Sequence, residues 1–184
     1  MRPQDRAAVI TAALTAAEQD ADDRGWDARP ALLGLLDPTG HRHAPAVGMR
    51  ELPVDEAVWR LHEQTVPGLR LPYWVGLTAI TEHLTAPTTV ASLRQWARAE
   101  QRRLIGMAFL CEGLDTHADS TPAHPDGLPV RALIACDTDA RHYQILRVRG
   151  AASTTTTVLD HPPASVRATV IPMCLQRLLT CAVA

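Results

Sequence analysis

His41 and His43 stand one residue apart, the spacing that turns two imidazoles to the same side of a strand. Two neutral imidazoles make half of a zinc or iron site, which needs a further histidine or carboxylate to become functional. The segment 115–126, with Asp115, His117, Asp119, His124 and Asp126, can offer one. The chemistry would then be metal-dependent hydrolysis, in which the ion generates a hydroxide nucleophile near neutral pH. Against this, the pair follows Asp37-Pro38-Thr39-Gly40, a turn signal after which exposed polar residues are expected. No spacing fixes the distance between the two segments. Cys111 with a histidine of the same loop is a conceivable thiol dyad, but it lies in an apolar run, where burial raises a thiol's pKa and silences it. No Gly-x-Ser-x-Gly elbow, Walker-type loop or Gly-x-Gly-x-x-Gly follows any expected strand.

Arginines form the second candidate site. Arg94, Arg98 and Arg102 recur every four residues, hence on one helical face, and Arg103 alone joins them to the strand that follows. Arg147 and Arg149 share a strand face with Tyr143 and Ile145. Guanidinium groups grip carboxylates and phosphates in a bidentate fashion, and Glu100 is the only acid within 94–103. The five residues Arg94, Arg98, Arg102, Arg147 and Arg149 are therefore the expected site for an acidic partner or another anion.

The choice of arginine itself has a duller origin. All 18 basic residues are arginine, and the chain has neither lysine nor asparagine. Both missing residues are spelled only by A/T-rich codons, which points to a high-GC bacterial genome, its plasmid or its phage. Net charge is −2. Residues 1–93 hold eight arginines against twelve acids, and residues 94–184 hold ten against eight. Neither half has the strongly basic face of a duplex-binding domain, so nucleic acid is disfavoured as a partner. The acids Asp20, Asp22, Asp23 and Asp27 around Trp26 lack the glycine and twelve-residue spacing of a calcium loop and read as a solvated helix end.

These residues must be positioned by an α+β frame. Val9, Ile10, Ala13, Leu14, Ala17 and Ala21 mark a first helix with Gly25 as its cap. The acids at its end oppose the helix dipole, so another interaction must hold that end. Residues 31–36 read as a buried strand paired with an edge strand around 42–49, where Pro45 forbids a central position. Three helices are expected next. Asp55 caps one running to about Gln64, Pro72 starts another with Trp74, Leu77, Ile80 and Leu84 inward, and Thr88 or Thr89 caps the third.

Beyond them, 104–111, 130–136 and 141–149 read as strands, the last two joined by a four-residue turn. The threonines 154–157 suit either a strand or a linker. A helix follows Pro162-Pro163, and Pro172 either kinks or restarts it. The expectation is a single domain, 1–184. Its antiparallel sheet has a central meander at about 103–149, with helices packed mainly on one face.

Gly25-Trp26-Asp27 with Pro30 and Leu32/Leu33 resembles a family of actinobacterial proteins that carry Gly-Trp-Asp-x-Pro-Pro-x-Leu after an N-terminal helix. The likeness extends through Gly106-x-Ala108-x3-Glu112, Val130-Arg131, the Asp139/Arg141 turn and Leu146-Arg147-x-Arg149. These blocks cover about a third of the chain. Residues 50–90 depart from the pattern, and Ala140 stands where the family has glycine. The family has no assigned activity, so the resemblance implies a fold and no function.

Cys111, Cys136, Cys174 and Cys181 lack metal spacing and read as reduced core thiols. An acid-flanked start without a signal pattern, and the lack of an apolar run approaching ~18 residues, suggest a cytoplasmic protein with no membrane partner. No cofactor is expected. The functional expectation is a non-catalytic accessory, regulatory or self-assembling protein that works through a protein partner or as a homo-oligomer. One alternative is a metal-dependent hydrolase built on His41, His43, His117 and His124. The other is a nucleic-acid-associated protein using the arginine stripe 94–103.

Overall fold

The computed structural model describes residues 3–37, 47–60, 72–99, 102–115 and 127–184. Among them, helix α1 (Pro3–Arg24) precedes strands β1 (Ala31–Leu36) and β2 (Gly48–Glu51). Helices α2 (Glu56–Trp59), α3 (Trp74–Glu82) and α4 (Pro87–Arg98) follow, with a 3-10 turn at His83–Thr85. Strands β3 (Leu104–Asp115), β4 (Leu128–Asp137), β5 (His142–Val148) and β6 (Thr155–Leu159) come next, then helices α5 (Ala164–Arg167) and α6 (Val170–Val183). The six strands form one antiparallel sheet in the order β2-β1-β3-β4-β5-β6. This is the expected α+β class, with the 104–148 meander at its centre.

Alternation along the strands divides the core in two. Ile10 and Leu14 of α1 are buried against Leu35, Ile105, Ala108, Leu133, Ala135, Tyr143 and Ile145 on one face. The other face carries Leu32, Leu36, Met107 and Phe109 under Trp59, Leu77, Leu93, Leu175 and Leu178. Among the described residues most helices therefore share one face, and α1 alone covers the other. Each layer buries large aliphatic side chains, and a fully buried one contributes about 1.5–3 kcal/mol. Trp96 crosses so close to β1 that a Cβ on Gly34 would stand 2.5 Å from its ring, which is why this strand carries glycine at its centre.

Several local expectations are corrected. Helix α4 begins at Pro87 with Ala86 as its cap residue and no side-chain cap, which places Thr88 and Thr89 inside the first turn. A proline there lacks only a donor that the helix start cannot use. Trp74 points outward, 41% exposed, while Leu77 and Leu84 face the core. Pro172 restarts the helix: α5 ends at Arg167, Thr169 is the cap of α6, and Pro172 lies in its first turn. The threonine run is a strand rather than a linker, and β3 continues four residues past Cys111. Asp55 does cap α2, accepting the Ala57 N–H at 2.9 Å. Residues 42–46 of the expected second strand, and 61–64 of the expected helix, lie outside the described residues.

Candidate functional site

Among the described residues the densest group of ionisable side chains lies where the end of α1 crosses β4 and β5. Glu18 falls four residues after Leu14, on the same buried stripe, and is 0% exposed. A carboxylate there must be paired, because an isolated buried charge is prohibitive. Arg147 donates to it through Nε at 2.9 and 3.0 Å and through Nη2 at 2.7 Å. Arg131 stands next to it, 3.5 Å from Glu18, 3.1 Å from Asp22 and 3.1 Å from Glu112. It also donates to the Gly25 carbonyl and stacks 4.3 Å from the Trp26 ring centre. Arg147 reaches Asp22, Gln19 and the Ala151 carbonyl as well.

At the rim, Arg149 holds Asp27 through two bonds, 2.9 and 3.3 Å, and approaches Trp26 from 5.3 Å. Asp27 takes a left-handed φ of 66°, and its N–H donates to Glu112 at 2.8 Å. The acids at the end of α1 are thus held by strand arginines. Asp22 and Asp27 are ion-paired, which corrects the picture of a purely solvated helix end. Every guanidinium in the group already faces a carboxylate, so a phosphate could enter only by displacing one.

A second polar group closes the β4–β5 turn. Asp137, fully buried, accepts the N–H groups of Asp139 and Arg141 at 2.9 Å each and the Tyr143 hydroxyl at 2.8 Å. Burial and the adjacent Asp137 push the Tyr143 phenol well above its ordinary value, so it remains a donor. Burial lowers the pKa of His142. Arg141 joins Asp137, Asp139 and Asp160, and Arg6 of α1 reaches Asp139 at 3.0 Å. These bonds fix the turn between β4 and β5 and tie it to α1.

Burial pushes the thiols of Cys111 and Cys136 up to about 12, so neither is a nucleophile at neutral pH. All four cysteines are free. His41, His43, His117 and His124 lie outside the described residues. Among the described residues no three His, Cys, Asp or Glu side chains gather in a way that could hold a metal ion.

The arginine set divides. Arg147 and Arg149 belong to the α1 side of the sheet, whereas Arg94 and Arg98 lie on α4, across the opposite face. Arg102 joins neither group: at the β1–β2 edge it donates to the Asp37 and Leu36 carbonyls, with its guanidinium against Gly48. The expectation that strand and helix arginines converge overlooked the sheet between them.

A groove of about 870 Å³ runs along the outer face of α4, lined by Thr85, Pro87, Val90, Ala91, Arg94, Gln95, Arg98 and Ala99. Pro87, Val90, Ala91 and Ala99 make it largely apolar. Arg94 donates Nε to the Cys181 carbonyl at 3.0 Å, which ties α4 to the end of α6 and leaves its terminal nitrogens available. No carboxylate among the described residues pairs with Arg94 or Arg98. Among the described residues no helix is long and apolar enough to cross a membrane. No family model, curated protein or solved structure matches the chain. The functional reading therefore rests on geometry alone.

Proposed function

We propose that this protein is a non-catalytic accessory module that binds an acidic segment of a protein partner in the groove along α4. One observation carries the reading: among the described residues Arg94 and Arg98 are the two cations of a largely apolar groove whose other polar lining, Thr85 and Gln95, is uncharged, and neither has a carboxylate partner there. Apolar floor with convergent positive charge is the chemistry that receives an amphipathic helix or extended segment bearing Asp or Glu. A twelve-residue α4 presents about 18 Å of such surface, enough for three turns of a bound helix. The net charge of −2 favours a short acidic segment over duplex DNA, which the acidic first half would repel.

The test is a photo-crosslinking amino acid at Gln95, in the middle of the groove, expressed in the source cells, with the same probe at Gln19 as control. A protein captured from Gln95 alone, whose binding weakens with salt and with Arg98→Glu, supports the reading. Near-stoichiometric zinc, iron or manganese in untagged protein would favour the hydrolase built on His41, His43, His117 and His124. Nucleic acid crosslinked at Gln95 would favour the arginine stripe as a phosphate contact.

A further inference from the structure

The two edges of the sheet are finished differently. Along β2 the edge is charged and covered: Arg50 donates to the Trp96 carbonyl, the Trp96 indole donates to the Glu51 carbonyl at 3.3 Å, and the Arg102 guanidinium lies on Gly48. Charges and covering side chains are how native sheets discourage pairing with another chain. At the other end, β6 has none of this. From Gly150 to Leu159 there is no charged residue and no proline, and Thr155, Thr156, Thr157 and Val158 are exposed. Among the described residues only β5 is paired to it.

We propose that β6 is a self-association surface, on which a second copy of this chain adds its own β6 antiparallel across a two-fold axis near Thr156. The six-stranded sheet then continues as twelve strands. Several features select a second copy over a foreign strand. The edge carries no charge with which to choose a foreign partner. Two-fold antiparallel pairing about Thr156 sets Thr155 opposite Thr157 and Thr154 opposite Val158, threonine-rich pairs that are favourable across strands. No like charges are brought together, as they would be in self-pairing of β2 through Arg50 and Glu51. The contact is isologous, and the blunted β2 edge stops growth at the dimer. A five-residue strand buries far less than the ~1,200 Å² of a stable interface, so the dimer is weak and reversible. This surface is separate from the α4 groove and does not depend on it.

Sedimentation velocity of the full chain, from micromolar to sub-millimolar concentration, reads the outcome directly. The expected result is a monomer–dimer equilibrium without larger species, which Thr156→Lys weakens by about tenfold or more and Arg98→Glu leaves unchanged. Because Thr156 is exposed, Thr156→Lys should keep its melting temperature. Should it fail to fold, Thr156→Cys serves instead, giving a disulfide-linked dimer on mild oxidation that the parent chain does not give. A chain that stays monomeric throughout overturns the proposal. So does a dimer indifferent to Thr156→Lys, or one in which Thr156→Cys fails to cross-link.

Discussion

Arginine meets two opposite fates in this molecule. On the α1 face, Arg131 and Arg147 are 1% and 3% exposed and surrounded by Glu18, Asp22 and Glu112. On the outer face of α4, Arg94 and Arg98 line an open groove with no acid beside them among the described residues. Residue type is the same in both places, as it must be in a chain whose only cation is arginine. What differs is whether the donors are consumed. Buried ion pairs are weak evidence of net stability but strong evidence of interdependence, because removing one partner strands the other. Arg98 is exposed, and Arg94 spends only its Nε on the Cys181 carbonyl, so the charge of both remains available to an outside anion.

The contrast breaks first at Glu18. Glu18→Ala leaves Arg147 and Arg131 buried with fewer counter-charges and should cost about 3–5 kcal/mol in urea denaturation. A loss under about 1 kcal/mol would mean that the network is neither dry nor coupled. The buried thiols sharpen the same point through pH. Their folded values of about 12 lie above the ordinary 9.0, so the unfolded chain releases these protons first. Stability is intact below pH 9 and falls as pH rises from about 9 to about 12, by at most about 1.4 kcal/mol per pH unit for each thiol. Denaturation of wild type and Cys136→Ala across that range should show a shallower decline in the variant.

Smaller effects belong to α4. Arg94→Ala loses its bond to the Cys181 carbonyl and should cost about 1 kcal/mol by thermal melting. Arg98→Ala should stay within about 0.5 kcal/mol of wild type. A larger loss at Arg98 would show that this arginine also serves the fold.

Much of the frame was legible in periodicity. The meander 104–148 announced itself through long apolar runs, and Asp137-Thr138-Asp139-Ala140 marked the hairpin turn. Pro172 left two outcomes open, because a proline near a helix start costs nothing while one inside costs a hydrogen bond. Which of them applied depended on where α5 ended.

The candidate site was only half legible. Arg94 and Arg98 were visible as a helical stripe, but nothing local revealed that the sheet separates them from Arg147 and Arg149. One signal was present and unused. Glu18 stands on the stripe of Ile10, Leu14 and Ala21, and Arg147 stands on the strand face of Tyr143 and Ile145. A carboxylate and a guanidinium, each placed toward a core, imply one another. The lack of charge from 150 to 159 was equally visible, but its meaning required knowing that β6 ends the sheet.

The account turns on the claim that the unpaired arginines make contacts outside the molecule while the paired ones hold it together. Its most direct measurement is the affinity of the protein captured at Gln95, titrated across salt concentration for wild type, Arg98→Glu and Arg149→Ala. Arg98→Glu should weaken binding at least about tenfold at low salt, with the difference shrinking as salt screens the contact. Arg149→Ala, which breaks the Arg149–Asp27 pair and the contact with Trp26, should bind as wild type does. Equal losses in both variants, or none in Arg98→Glu, would contradict it.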